Sequence, residues 1–407
     1  MCDNGSVNLS DPNTSAFRPH ACDVAIVGDG VLGLAIALRC RAASPDARIV
    51  VIGPPARPGA ASTAAAAMLT AFAEIEPETL RDPGRRAKFD LARRSVPRWR
   101  SWIANHADRA GIDPPAIAPG TVVTATDPAI DGPVLDAITR AAIELGVPIE
   151  TLELRDVPGL RPRRTSPEAP AIRIPGEGAV DPVAVLDVLD AATTAAGIER
   201  LAARVATLDE QVVTLENGTV ISATHVVVAA GARTSTLLDT HPELRGLMPR
   251  IRFGTGVGIR ATTPPGAFMP AEVVRTPNRR DGHGVYFAPH GGDRFYVGAT
   301  CDISDEPIET PRIAALRRIL DAAMDDLSQD LGRATCHPVL GHRPTTDDGL
   351  PLLGRASDSI WVASGTHRDG FVSAPEIADV LVDAMFAAGS GFHPTMSPCR
   401  ASETAVR

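Results

Sequence analysis

Lysine is almost missing from this chain: Lys88 is the only one in 407 residues, and arginine supplies the rest of the positive charge. A Schiff-base lysine, or a lysine set beside a cofactor, has almost nowhere to come from. Aromatic residues make up 4% of the chain, with only two tyrosines, Tyr286 and Tyr296. Cys2, Cys22, Cys40, Cys301, Cys336 and Cys399 include no C-x-x-C pair and no metal-ligand spacing. No metal site is therefore expected, and a reduced, cytoplasmic setting is the default. No apolar stretch approaches a membrane span, and runs such as 226–230 suit buried strands. There is no sustained basic run and the formal net charge is -9, which argues against nucleic acid or an acidic membrane surface as partner. Residues 1–21 lack the basic start and apolar segment of a secretory signal and are expected to form a disordered lead.

What is present is ordinary in bulk, 44% hydrophobic and 22% charged, and long enough for two domains. From Cys22 to Leu38 an apolar strand runs into Gly28-x-Gly30-x-x-Gly33 and then into an apolar helix, and a second strand follows at 48–52. In such a unit the first glycine makes a tight turn, the second lets the backbone approach a pyrophosphate, and the third lets helix and strand pack closely. One feature departs from the pattern: the second strand should end in an acid for an adenosine ribose, yet the chain reads VVIGPP and offers Gly53. The run 60–76, AASTAAAAMLTAFAEIE, suits an alanine-rich helix, or a backbone kept small because a flat ring lies against it.

Further along, residues 85–109 are expected to be helical, with Trp99 and Trp102 on one face as core residues. Strand 121–126, a helix over 133–145 ending at Gly146, a loop over 158–170 and a strand over 171–174 follow. Asp181 should cap a helix over 183–196, with Pro182 at its first position. A hairpin over 204–216 precedes a buried strand ending in Gly231. Strands at 250–260, 283–289 and 294–300 point to an antiparallel sheet, with the last two paired across 290–293. Tyr286 sits on that sheet, suited either to a core position or to the roof of a binding site. A helix over 311–324 and a strand near 334–340 complete this part.

The stretch 341–371, GHRPTTDDGLPLLGRASDSIWVASGTHRDGF, reads as an arginine-bearing turn, a strand over 360–363, and a glycine-rich loop with a second arginine before a helix near Ser373. A loop whose N–H groups converge with a helix N-terminus favours negative charge, such as that on the pyrimidine edge of a reduced flavin. Arg343 and Arg368 flank this place, and a guanidinium fork matches a carboxylate better than any other side chain.

With GDGVLG, ASTAAAAML, VDP, HVVVAAG, GVYFAP, FYVGAT and above all HRPTTDDGLPLLG followed by GTHRDGF, the chain resembles the glycine oxidase and D-amino acid oxidase family of FAD enzymes, on its glycine oxidase branch. The resemblance implies an α/β fold in which a discontinuous, Rossmann-like FAD lobe (22–95, 176–240 and 338–390) meets a substrate lobe on an antiparallel sheet (96–175 and 241–337), with 391–407 as a tail. It also implies that Arg343 grips a substrate carboxylate, Tyr286 supports it, and Arg368 shapes the flavin loop. Gly28, Gly30 and Gly33 would form the cofactor-binding glycine turn, Ser62 and Thr63 would serve the phosphates, Ala66, Ala67, Met68 and Leu69 the flavin, and Val205 the adenine. Gly231, Gly341 and the loop His367, Arg368, Asp369, Gly370 and Phe371 would close around the ring. The related sarcosine oxidases tether flavin to a cysteine where this chain has Gly341, so the FAD is expected to be noncovalent. The implied substrate is a small carboxylate-bearing amine, oxidised with dioxygen as acceptor. A dehydrogenase using another acceptor and a non-catalytic flavoprotein remain open, as does whether His342 and His367 select a larger substrate or only pack.

Overall fold

The computed structural model describes residues 20–264, 269–278, 284–387, 389 and 391–400. The expected lead lies outside these residues except for His20 and Ala21, which already belong to the first strand, His20–Val27. His283, expected to open a strand, and the tail beyond residue 400 also lie outside them.

Two sheets organise the chain. In the first, the order is Leu352–Arg355, Ile360–Ser364, Val220–Val228, His20–Val27, Ile49–Gly53, Glu199–Ala202, with the hairpin Val205–Asp209/Val212–Leu215 joined to Val220–Val228. Its central pairs are parallel. Both faces are covered, which is why these strands read as unbroken apolar runs. Val24 and Ile26 point into one core with the helices Val31–Ala43, Pro182–Ala195 and Ala374–Phe386, while Ala25 and Val27 point into a second core under the hairpin. Asp181 caps the middle helix as expected, accepting a bond from Val183 N at 3.0 Å.

The second sheet has ten strands, mostly antiparallel, and its spine is the pair Ile251–Thr262 and Thr335–Thr346. These two strands pair without a break from Ile251↔Thr346 to Thr262↔Thr335. Arg343 is therefore on a strand, where a turn was expected. The ladder carries the chain through Pro338, Gly341 and Pro344, residues that in isolation signal a turn. Likewise the strand expected over 171–174 runs over Pro170–Val180, because Ile117–Thr124 and Met68–Leu69 supply partners along its length. The helix expected from Pro133 starts at Pro128, capped by Asp127, and keeps Pro133 in its interior. Strands 68–69, 170–180 and 335–346, which the expected boundaries give wholly or partly to the FAD lobe, all pair in this second sheet. Chain segments from both sides thus meet along one seam, and the main cavity lies there.

Candidate active site

A cavity of about 520 Å³ runs from the glycine turn at the end of the first strand to Arg343 on the second sheet. Gly28 lines it with φ +116°, and a Cβ there would lie 2.2 Å from the Ala229 carbonyl oxygen. Only glycine lets the turn settle on the neighbouring strand. Gly33 does not line the cavity; a Cβ there would meet Gly28 O at 1.8 Å, so its place is the helix–strand packing expected of the third glycine. Gly30 caps the first helix without a side-chain bond of its own, while Ser62 Oγ accepts from Val31 N at 3.1 Å from across the cavity wall. Val205, with Arg204 and Glu216, also lines the cavity.

Two expected contacts fall elsewhere. Thr63 turns its hydroxyl back to donate to Ala60 O at 2.9 Å, completing the single helical turn Ala61–Ala64, and does not reach the cavity. Leu69 is packed in the hydrophobic core, because strand alternation sends it to the face opposite Met68. Ala66, Ala67 and Met68 do line the cavity, and Ala67 takes φ +48°. A left-handed, non-glycine backbone is costly enough to persist only where its surroundings enforce it. The other such residues on the wall are Arg57, φ +49°, and His367, φ +52°, the latter in the loop after Ile360–Ser364.

That loop is fixed from several sides. His367 N donates to Pro344 O at 2.8 Å, Asp369 is paired with Lys88 at 3.1 Å, and Lys88 also donates to Gly349 O. Phe371 stacks on Trp99 with centroids 5.5 Å apart, and Trp99 Nε1 donates to Val372 O at 2.7 Å. Of the two tryptophans expected as core, Trp99 is fully buried and also anchors the cavity loop, while Trp102 packs half-buried against that core. Arg368, Asp369, Gly370, Phe371 and, across the seam, Gly231 and Gly341 all face the cavity. Helix Ala374–Phe386 begins directly after the last lining residue, Val372.

At the far end, Arg343 donates to Thr300 O at 2.8 Å, and its guanidinium lies over Gly256, where a Cβ would come within 2.5–2.7 Å of it. Among the described residues no carboxylate pairs with it; the groups acting on it are the Tyr286 and Tyr296 hydroxyls and the Cys301 thiol. Tyr286 stacks face to face on Tyr296 (6.0 Å, 8°), whose hydroxyl donates to Ala64 O at 3.0 Å. Burial pushes the Tyr286 hydroxyl up, against the pull of Arg343, Arg368 and Arg275, so it stays protonated at neutral pH.

Sequence reasoning missed the charged group beside it. Arg275, only 1% exposed, pairs with Glu74 and donates to Asn278 Oδ1 at 2.9 Å, while Asn278 Nδ2 donates to Glu74 at 2.9 Å. Arg368 approaches Glu74 at 3.9 Å. Burial alone would raise the Glu74 carboxyl, but Arg275 and Arg368 bring it down to about 2. The one-turn helix that presents Glu74 is held by Glu177, whose Oε1 accepts from Ala71 N and Phe72 N at 2.6 Å. Burial raises Glu177 to about 7 even so. The sequence signal was weak: acids in AFAEIE and PGEG with no basic neighbour in sequence. His342 packs away from Arg343, its Nδ1 within 3.1 Å of Thr255 Oγ1 and its ring edge-on to Phe253. His367 Nε2 lies 3.6 Å from Cys301 Sγ.

The sequence profile of the FAD dependent oxidoreductase family, DAO, matches residues 23–384. The chain is 27% identical over 380 residues to a glycine oxidase of Geobacillus kaustophilus, covering 89% of this chain and 93% of that protein. It is 26% identical over 372 residues to the bifunctional protein ThiO/ThiG of Trichormus variabilis; that match takes in 89% of this chain but 52% of the relative, so the chain spans about half its length. The crystal structure of glycine oxidase from G. kaustophilus is similar at a TM-score of 0.80 and 25% identity, covering 94% of this chain and 100% of that one. An iminodiacetate oxidase from Chelativorans sp. BNC1, at 0.75 and 21%, covering 92% and 98%, shares the fold. Since the profile spans both sheets and the whole cavity between them, the chain belongs to the DAO family of FAD-dependent oxidoreductases, and FAD is its cofactor.

Proposed function

We propose that this protein oxidises the C–N bond of an amino acid or N-substituted amino acid, with dioxygen as final acceptor and FAD held without a covalent link. The observation that carries this is Arg343: a guanidinium with no carboxylate partner among the described residues, facing the same cavity as the glycine turn. Its open donors suit a carboxylate, and a charge without a partner in so enclosed a place is costly unless a ligand supplies one.

The residues present fit the cofactor. The Gly28 turn and the start of helix Val31–Ala43, whose cap residue Gly30 has no side chain, suit a pyrophosphate, and the wall of Ala64, Ala65, Ala66 and Ala67 leaves room for a flat ring. Gly341 stands where a tethering cysteine would otherwise be, against Ala64 Cβ at 2.7 Å from its ideal Cβ, which favours a noncovalent link. Bound along this cavity, FAD would supply a two-electron acceptor for a hydride from the α-carbon, with dioxygen as the proposed final acceptor and hydrogen peroxide as its product.

The chain's own residues bind and orient. Arg343 fixes the carboxylate, and the protonated Tyr286 hydroxyl donates beside it, so one α-hydrogen is held toward the alanine wall. Glu74, at about 2 and clamped by Arg275 and Asn278, is too weak a base to take a proton at neutral pH. Asp369 is committed to Lys88. An amine bound in its neutral form needs no base, because its lone pair drives hydride loss to an iminium ion, which water hydrolyses to an oxo acid and an ammonium. The test is an anaerobic flavin-bleaching screen over glycine, sarcosine, D- and L-amino acids and N-carboxymethyl amines, with peroxide assayed when air returns. Bleaching followed by peroxide is the expected result. Turnover with dye but no peroxide would replace dioxygen with another acceptor, and a flavin that no carboxylate-bearing amine bleaches would overturn the proposal.

A further inference from the structure

Two departures in the nucleotide half of the fold explain one another. A dinucleotide-binding unit carries an acid at the end of its second strand for the adenosine ribose, and here that position is Gly53. The middle position of the glycine turn, which asks for no particular side chain, is Asp29. An ideal Cβ built on Gly53 would lie 2.2 Å from Asp29 Cγ and 2.3 Å from Asp29 Oδ1. The carboxylate of Asp29 therefore stands over the end of the second strand, in the space that the side chain of an acid at 53 would need. An acid at 53 and Asp29 as placed would compete for the same space.

The remaining contacts leave that carboxylate able to bind. Asp29 lines the main cavity with Gly28, Gly30, Ile52 and Arg57. Its ion pairs, to Arg57 Nε at 3.0 Å and Arg200 at 3.2 Å, both use Oδ2. Oδ1 is the oxygen over Gly53. The two arginines also share Asp190, at 2.5 and 2.7 Å, so the cluster of two cations and two carboxylates is balanced and holds Asp29 in a fixed orientation. We propose that Asp29, oriented by Arg57 and Arg200, accepts the hydroxyls of the adenosine ribose of FAD in place of the acid missing at Gly53.

The experiment measures FAD affinity on reconstituted apoprotein, read from quenching of flavin fluorescence, alongside an FAD analogue lacking both adenosine ribose hydroxyls. Wild-type protein should bind FAD about 10- to 100-fold more tightly than the analogue, the worth of a hydrogen bond to a charged acceptor. Asp29→Gly should weaken FAD by a similar factor and bind both nucleotides equally. Gly53→Glu alone should weaken binding by forcing the two carboxylates together, whereas Asp29→Gly with Gly53→Glu should regain both affinity and discrimination. Wild-type protein that binds FAD and the analogue alike overturns the proposal without recourse to any variant. So does an Asp29→Gly protein that still discriminates, which would leave Asp29 only a partner for Arg57 and Arg200.

Discussion

Replacing Arg343 with methionine separates binding of the substrate from stability of the fold. The guanidinium bonds Thr300 O and the Cys301 thiol, and has no carboxylate partner among the described residues. In the proposed complex it adds two charge-assisted bonds to the substrate carboxylate, each worth about 1.5–3 kcal/mol. Loss of about 3–6 kcal/mol corresponds to a fall in kcat/KM of roughly 10²- to 10⁴-fold. Most of it should appear in KM, because the carboxylate is gripped before and during hydride loss alike. The protein itself should not weaken. A guanidinium in this enclosed place is poorly compensated, so Arg343→Met should leave the thermal midpoint unchanged or higher, with FAD still bound. Steady-state kinetics on a carboxylate-bearing amine and on the same amine lacking the carboxylate read the effect: the wild-type preference for the former should vanish in the variant. An unchanged KM, or an equal loss on both amines, would refute the role given to Arg343.

Gly256→Ala places a methyl 2.5–2.7 Å from the Arg343 guanidinium; the fold should survive, since a flexible side chain can yield, but kcat/KM should drop about 10²-fold from the displacement. Glu74→Gln strands the buried Arg275 and should cost about 3–5 kcal/mol in unfolding measurements, whereas Glu74→Gln with Arg275→Met should recover most of it. Glu177 is raised from 4.5 to about 7, so its contribution to stability is fully present below pH 4.5 and is lost as pH rises through 7. That loss is on the order of 3 kcal/mol, and Glu177→Gln should remove this part of the slope in thermal midpoint against pH. Glu74 acts with the opposite sign: lowered to about 2, it stabilises the fold above pH 4.5, and that stability is lost as pH falls through 2.

Much of the fold was legible because it is written in local pattern. The strand–glycine turn–helix at 20–43, the cap at Asp181 and the hairpin across 290–293 each use neighbours in sequence. Elements whose form depends on a distant partner were read short or misread. Thr335–Thr346 is a strand because Ile251–Thr262 pairs with all of it, and its glycine and prolines, judged alone, signal a turn. The charged group behind the cavity was illegible for the same reason. Glu74 and Arg275 are 201 residues apart, Ala71 and Glu177 106, and no periodicity or motif links them.

The placement of charge follows from that pairing and not from the number of arginines. Arg343, Arg275 and Arg368 all act on the Tyr286 hydroxyl, so a count of guanidinium groups would suggest several sites for an anion. Arg275 is ruled out because its three nitrogens are spent on Glu74, Asn278 and Thr276 O. Arg368 is drawn toward the same carboxylate, and Glu74 cannot pick up a proton to release either partner anywhere near neutral pH. Arg343 is different because its guanidinium lies over Gly256 of the neighbouring strand, with the Thr300 carbonyl and no acid among the described residues as its support. In the proposed complex a carboxylate entering the cavity would therefore be drawn to Arg343, because Arg275 and Arg368 are already engaged by Glu74.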